Sequence, residues 1–168
     1  MSISASILPE FDMEMAKTRT TLERTPDDCF GWKPHEKSFS MMEQVNHLAR
    51  LSGWGAETLR TPSMDLDPDG TGYVPPPPAE TTQAVLELFD AGVADFRDAL
   101  AAASDDDLMA PWTLYMAGEE IFTMPRIAVI RGMILNHIIH HRGQLTIYFR
   151  LNGVPVPALY GPSADEEM

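Results

Sequence analysis

Histidine is the residue type in this sequence best suited to chemistry, because an imidazole can bind a metal ion or transfer a proton near neutral pH. The chain has five: His35, His47, His137, His140 and His141. On a helix, residues four apart share a face, with Cβ atoms about 6 Å apart, so His137 and His141 can bind one ion. His140 is rotated by about 100° from His141 and points elsewhere.

A third ligand can come from His47, which lies on a different helical segment. Projected at about 100° per residue, Leu51 and Trp54 lie within about 40° of His47, so this side of the helix is expected to face inward. The residues that share a side with His137 and His141 are mostly apolar: Ile130, Ile134, Gln144, Leu145 and Tyr148. Two inward faces therefore bring three imidazoles towards one point.

Three neutral imidazoles leave one position of a tetrahedral ion open to water or substrate, as in catalytic rather than structural zinc sites. Buried histidines that are satisfied by hydrogen bonds alone would show the same spacing, so a helical protein without a metal is an alternative interpretation. Because each buried imidazole needs a polar partner, one shared ion is the simpler solution. Glu43, one turn before His47, is a candidate base, but its position in a capping box explains it without chemistry.

Charge and cysteine content exclude several classes of function. Twelve Lys and Arg residues against 25 Asp and Glu residues give a net charge of −13, which repels nucleic acid phosphates. A lone cysteine, Cys29, can form no internal disulfide and no Cys-rich metal site. The sequence has no apolar run near the ~20 residues of a membrane span and no basic region typical of a secretion signal. We therefore expect a cytoplasmic protein that binds neither nucleic acid nor membranes.

The elements that must position the histidines are predicted to be helices. Apolar residues recur at spacings of three and four in four segments, which predicts an all-α chain forming a four-helix bundle. Ser40 and Glu43 have capping-box spacing at the start of the second helix, and Pro125 falls in the first turn of the fourth. The predicted helices span about Ser6 to Arg24, Ser40 to Arg60, Glu80 to Ala103, and Thr123 or Met124 to Asn152.

The segments between these helices are predicted as loops within a single domain, residues 1–162. Residues 62–79 are rich in Pro, Gly and Asp, which predicts a long, extended crossover loop between helices two and three. Residues 110–123 fit either a short hairpin or an irregular loop. We expect the acidic tail, residues 163–168, to be disordered.

Several motifs together are similar to one known family. They are Phe30-Gly-Trp-Lys-Pro34, His47-Leu-Ala49, His137-Ile-Ile-His-His-Arg-Gly-Gln-Leu145 and Leu151-Asn-Gly153. In this order, over nearly the whole chain, they resemble the DinB-like (YfiT-like) metalloenzymes. The resemblance implies a four-helix bundle and a divalent ion, such as nickel or zinc, held by three histidines at the positions of His47, His137 and His141.

The resemblance also implies a class of reaction. Family members include transferases and an isomerase that use low-molecular-weight thiols such as bacillithiol, mycothiol or glutathione. A tri-histidine ion can activate a thiol or water at neutral pH, so we expect transfer or hydrolysis on a small electrophilic substrate. We expect Trp54 and Tyr148 to line the substrate pocket. The rival hypothesis is a stress-response bundle that binds a metal or small ligand without catalysis.

A second apolar side of the fourth helix predicts self-association. Leu135, Ile138, Ile139 and Phe149 lie opposite or beside the histidine face. Since one bundle rarely buries both sides of a helix, we expect a homodimer that uses this surface.

Overall fold

The computed structural model of the chain describes residues 2–167, and most of these residues are helical. The long helices are α1 (Ile3–Leu22), α2 (Met41–Arg60) and α3 (Thr82–Ala102), and α4 (Asp105–Met109) is short. A last continuous helical segment comprises α5 (Arg126–Ala128), a π-helical stretch (Val129–Leu135) and α6 (Asn136–Leu151). Three strands complete the fold: β1 (Ser63–Asp65), β2 (Pro111–Met116) and β3 (Glu119–Pro125).

The start of α2 follows the predicted capping box. The backbone N–H of Glu43 donates to Ser40 Oγ at 3.2 Å, and the backbone N–H of Ser40 donates to Glu43 Oε2 at 2.7 Å. Lys33 also pairs with the Glu43 carboxylate at 3.3 Å. Glu43 is therefore occupied at the helix start, which confirms its role as a cap.

Helix α1 begins earlier than predicted because Ser2 caps it. The Ser2 hydroxyl accepts a hydrogen bond from the backbone N–H of Ala5 at 3.2 Å. Pro9 consequently lies inside the helix, beyond its first turn. The helix tolerates this proline because Ala5, whose carbonyl group loses its usual donor, is exposed to solvent.

The mostly helical prediction is confirmed, but the chain is not purely α-helical. The hairpin alternative for residues 110–123 is the one observed: β2 pairs antiparallel with β3, with Trp112 opposite Met124. Strand β1 lies within the predicted crossover loop and pairs in parallel with β2, with Ser63 opposite Thr113. The last helical segment starts at Arg126 rather than at residue 123 or 124, because β3 extends to Pro125.

Asp65 joins β1 to the hairpin turn. Its carboxylate accepts from the backbone N–H groups of Ala117 at 3.0 Å and Gly118 at 2.8 Å. These two residues have positive φ angles of 52° and 78°, as a tight hairpin turn requires.

The end of the crossover loop is held against α2 by Asn46. The Asn46 side chain accepts a hydrogen bond from the backbone N–H of Ala79 at 2.7 Å and donates one to the Ala79 carbonyl oxygen at 2.9 Å.

The long helices pack around one hydrophobic core. Helix α2 contacts α3 and α6, and α1 contacts the same two helices. Where α2 crosses α3, Gly55 lies so close to the ring of Phe96 that a Cβ atom would be 2.2 Å from it. The largest fully buried apolar side chains include Phe11, Leu48, Phe89, Phe96, Trp112 and Phe149. Among residues 2–167, no helix combines the length and apolar character that crossing a membrane requires.

The surface that we expected to mediate a homodimer is mostly inside the monomer. Leu135, Ile138 and Phe149 are at most 2% exposed, and only Ile139 reaches solvent in part. The predicted surface is wrong because α6 packs against α1 as well as α2, so both apolar sides of α6 are covered within one chain. A homodimer stays a prediction, without this surface as its basis.

The acidic tail also differs from our expectation of disorder. Asp165 pairs with Arg150 at 2.6 Å, and Glu166 pairs with Arg24. The backbone N–H of Val156 donates to Asp165 at 2.8 Å. These contacts fold residues 163–167 back onto the helices, whereas Met168 lies outside the described residues.

Candidate metal centre

Three histidine side chains from two helices converge on one point. Nε2 of His137 lies 3.2 Å from Nε2 of His47 and 2.9 Å from Nε2 of His141. The three ring centroids are 4.5 to 4.9 Å apart. Among residues 2–167, these three form the one group of His, Cys, Asp or Glu side chains that could hold an ion. The predicted histidines are therefore brought together.

The distances between these nitrogens suit a divalent ion. An ion with bonds of about 2.0–2.1 Å to two imidazoles places their nitrogens about 2.8–3.4 Å apart for bond angles between 90° and 109°. The observed 2.9 and 3.2 Å fall within this interval. The donor set is also chemically suitable, because nickel and zinc both accept neutral imidazole.

The environment keeps the imidazoles neutral. Burial, followed by the charges of His137 and Arg50, lowers the pKa of His47 to about 4. Burial, followed by the neighbouring histidines, likewise lowers the pKa of His141 to about 4. The pKa of His137 is also lowered by burial, against a hydrogen bond to the Met133 backbone. At neutral pH each ring therefore has a lone pair for an ion.

A π-helical stretch ends directly before α6, which carries two of these histidines. The wider π-helical turn spans Val129–Leu135, one residue before the α6 start. Such turns are rare in proteins and often occur at functional sites. The Met133 backbone, which belongs to this stretch, raises the pKa of His137 against the larger effect of burial.

Gln44 fixes the orientation of His141. Its side-chain nitrogen lies 3.0 Å from Nδ1 of His141, 2.9 Å from the His141 carbonyl oxygen and 3.1 Å from Oε1 of Gln144. Because the His141 carbonyl oxygen can only accept, the amide nitrogen faces it and donates there, which ties Gln44 to the backbone beside the ring. Sequence reasoning missed this residue. The available signal was a buried amide three positions before His47, on the same helix face.

An aromatic side chain covers one side of the histidines. The Phe39 ring lies edge-on to His47 and stacked on His141, at centroid distances of 5.8 and 6.2 Å. The hydroxyl of Tyr148 donates to the Phe39 carbonyl oxygen at 3.1 Å, and the Tyr148 ring packs against Trp32. Tyr148 thus supports the loop that carries Phe39. Its predicted contact with a substrate stays a prediction.

A small cavity of about 60 Å³ lies beside His137 and includes Trp54 in its wall. Trp112 of β2 and Met133 of the π-helical stretch also line it. Direct contact between Trp54 and a substrate stays a prediction. A larger open groove of about 380 Å³ is lined by Arg60, Asp98 and Asp107, but by none of the three histidines.

Other polar residues near the histidine motif have structural roles. Arg142 is 1% exposed and its guanidinium donates to the Glu14 carboxylate at 2.5 Å. The inner face of α1 supplies this charged partner. His140 is exposed and its Nε2 lies 3.0 Å from the Gln144 amide nitrogen. Burial and the charge of Asp28 raise the pKa of the Cys29 thiol, as expected for an unreactive cysteine.

Comparison with known proteins places this chain in a family. The sequence matches the DinB superfamily over residues 10–145, most of its length. The chain belongs to the DinB superfamily. No curated protein is significantly similar to it in sequence.

Solved structures support the DinB-like fold. A DinB-like protein from Bacillus cereus ATCC 10987 is similar with a TM-score of 0.69 and 20% identity, over 95% of this chain and 98% of that one. A DinB-like protein from Bacillus subtilis, YjoA, is similar with a TM-score of 0.67 and 18% identity, over 97% of this chain and 99% of that one. At these identities the likeness concerns the fold alone.

Proposed function

We propose that this DinB-superfamily protein is a metal-dependent enzyme built on a four-helix bundle. His47, His137 and His141 would hold one divalent ion, nickel or zinc, and the reaction would join a small thiol or water to a small electrophilic substrate. The observation that carries the proposal is the convergence of three Nε2 atoms: that of His137 lies 2.9 Å from that of His141 and 3.2 Å from that of His47. An ion in this position would supply a nucleophile at neutral pH by lowering the pKa of a bound thiol or water.

A group of three histidines without a fourth protein ligand among the described residues supports a catalytic rather than a structural role. Structural zinc sites are usually closed by four protein ligands, whereas catalytic sites have three and leave one position for water or substrate. In the part of the chain that the structure describes, no carboxylate or thiol joins the three histidines. This donor set therefore suits an exchangeable ligand.

The surroundings favour thiol transfer over hydrolysis. Attack by water benefits from a general base in hydrogen-bonding reach. Glu43, the acidic residue nearest in sequence to His47, is held by Ser40 and Lys33 at the start of α2. A thiol is more acidic than water and depends less on such a base. We therefore place transfer of a thiol first and hydrolysis second.

Apolar side chains at the edge of the site would exclude water from the reacting groups. Phe39, 45% exposed, packs on His47 and His141. Met133, 43% exposed, lines the cavity beside His137. Exposed apolar side chains next to a polar centre are typical of sites that bind small organic ligands.

The rival function is metal or ligand binding without catalysis, and a turnover screen separates the two. Untagged protein loaded with nickel or zinc is mixed with glutathione, bacillithiol or mycothiol and with electrophiles of different classes, and loss of free thiol is measured. The His137→Ala variant, treated identically, is the control. We expect at least one pair to react faster with wild-type protein than with the variant. Tight metal binding with no such difference for any pair would support the non-catalytic function.

A further inference from the structure

We infer that the cavity beside His137 binds the uncharged, carbonyl-bearing part of a small substrate, and that the indole N–H of Trp112 donates a hydrogen bond to the carbonyl oxygen. The inference rests on the proposed function and specifies its class of substrate. It is carried by an unpaired donor, the chemistry of the cavity wall and the place of His137 in that wall.

Trp112 carries a buried donor without an acceptor. The residue is 2% exposed and lies in β2, where its ring packs against Phe122. Within residues 2–167, Nε1 of Trp112 and Oγ1 of Thr25 are the buried side-chain atoms that have no hydrogen-bond partner. Trp112 lines the cavity and Thr25 does not. Since an indole N–H can only donate, it calls for an acceptor brought by a ligand.

The rest of the wall carries no charged side chain, and Trp54, which has the other indole N–H of the wall, is only partly buried. The Thr58 hydroxyl donates to the Trp54 carbonyl oxygen at 2.8 Å and is therefore occupied. His137 directs Nε2 towards the other two histidines. No Lys, Arg, Asp or Glu is among the described residues that line the cavity. A charged ligand would lose its hydration there without compensation, so the occupant is uncharged.

The volume of the cavity limits the occupant to a small group. A single water occupies about 10–15 Å³, so a cavity of about 60 Å³ takes a group on the order of four to six non-hydrogen atoms. A carbonyl compound of this size combines an oxygen acceptor with an adjacent electrophilic carbon. Its oxygen can accept the hydrogen bond from the Trp112 indole N–H. Its carbon can be attacked by a nucleophile next to His137.

The probe for this inference is cyclopentanone, which has six non-hydrogen atoms and one acceptor. Protein labelled with ¹⁵N shows indole N–H signals from Trp32, Trp54 and Trp112, which are assigned by replacing each tryptophan in turn with Phe. We expect the Trp112 signal to shift downfield and saturate as cyclopentanone is added, while the Trp32 signal stays in place. Cyclopentylammonium, equal in size but charged and without an acceptor, is expected to leave the Trp112 signal unchanged.

Two variants test the role of the indole N–H. Trp112→Phe retains an aromatic ring without the donor and is expected to weaken cyclopentanone binding about 2- to 10-fold, the effect of one neutral hydrogen bond. Thr58→Val removes an occupied hydroxyl from the same wall and is expected to change the affinity less than about 2-fold. If Trp112→Phe does not fold, the wild-type shift, assigned through the Trp32 and Trp54 variants, carries the test. Absence of a saturable shift, equal affinity in Trp112→Phe, or equally tight binding of cyclopentylammonium would overturn the inference.

Failure of this inference is distinguishable from failure of the proposed metal centre. Zinc binding is measured by calorimetry on the same preparations, and the cyclopentanone titration is run with and without zinc. Zinc binding without a cyclopentanone response overturns the cavity inference alone. A cyclopentanone response without zinc binding supports the cavity and contradicts the metal centre.

Discussion

Nε2 of His47 lies 3.2 Å from Nε2 of His137, although 90 residues separate the two along the chain. The contact joins α2 to α6, two helices that pack directly against each other. His141, one turn further along α6, adds its Nε2 at 2.9 Å from that of His137. The geometry of the candidate site therefore depends on how these two helices pack and on the side chains that orient each ring.

Replacement of Gln44 by Leu is expected to weaken zinc or nickel binding about 10- to 100-fold, because the amide that orients His141 is lost. The Gln44 nitrogen lies 3.0 Å from Nδ1 of His141. The measurement is a competition titration against a chelator of known affinity. Asn46→Leu is the control, since it removes a buried amide of the same helix that bonds Ala79 instead. An equal loss of affinity in both variants would show that the effect comes from general disruption of α2.

The metal-free protein is expected to lose stability as the pH falls from about 6.5 towards about 4. Burial lowers the pKa of His47 and of His141 to about 4, below the ordinary value of 6.5. In this interval the unfolded chain takes up protons that the folded chain does not, so the free energy of unfolding decreases with falling pH. Urea unfolding followed by circular dichroism at several pH values measures the slope.

A His47→Gln, His141→Gln double variant is the control for this pH dependence. It retains the carboxylates but lacks two of the buried imidazoles, so its free energy of unfolding should change less between about pH 6.5 and about pH 4. An unchanged slope in the double variant would show that other groups account for the effect.

The buried pair of Arg142 and Glu14 predicts a non-additive response to mutation. Their side chains are 1% and 4% exposed, and Tyr160 also donates to the Glu14 carboxylate at 2.6 Å. Glu14→Leu leaves the guanidinium charge buried without its partner and is expected to cost about 3–5 kcal/mol of unfolding free energy. The Glu14→Leu, Arg142→Met double variant removes both charges and should regain most of that loss. Additive losses in denaturant unfolding would contradict this account of the pair.

Two glycines of α2 are expected to respond in opposite directions to alanine. A Cβ at Gly55 would lie 2.2 Å from the Phe96 ring, so Gly55→Ala should destabilise the fold by about 1–3 kcal/mol. Gly53, two residues earlier, is exposed and has no atom within 4 Å of such a Cβ, so Gly53→Ala should stabilise the helix by about 0.5–1 kcal/mol. Thermal unfolding distinguishes the two. Similar effects of both substitutions would show that the α2–α3 crossing is not as tight as described.

Local sequence rules predicted the features that depend on neighbours along one helix. The capping box of Ser40 and Glu43 and the shared face of His137 and His141 follow from fixed helical spacing. Features that depend on distant partners were not predictable in this way. The partner that allows Arg142 to be buried is Glu14, which lies 128 residues away in sequence. Gln44 and His141, which contact each other, are 97 residues apart.

The small sheet illustrates the same limit. Strand β1 has three residues, Ser63–Asp65, which is too short to show an alternating pattern, and it forms because β2 is available beside it. The donor of Trp112 could be assigned to a cavity only once the hairpin had been placed against α2 and the π-helical stretch.

The metal content of untagged protein tests the central claim most directly. Wild-type protein and His137→Ala are each loaded with zinc or nickel, desalted, and analysed for metal by plasma mass spectrometry. The convergence of the three Nε2 atoms predicts one equivalent of metal per wild-type chain and loss of that equivalent in His137→Ala. Full retention of the metal by the variant, or wild-type protein that retains none, would contradict the assignment of His47, His137 and His141 as a metal centre.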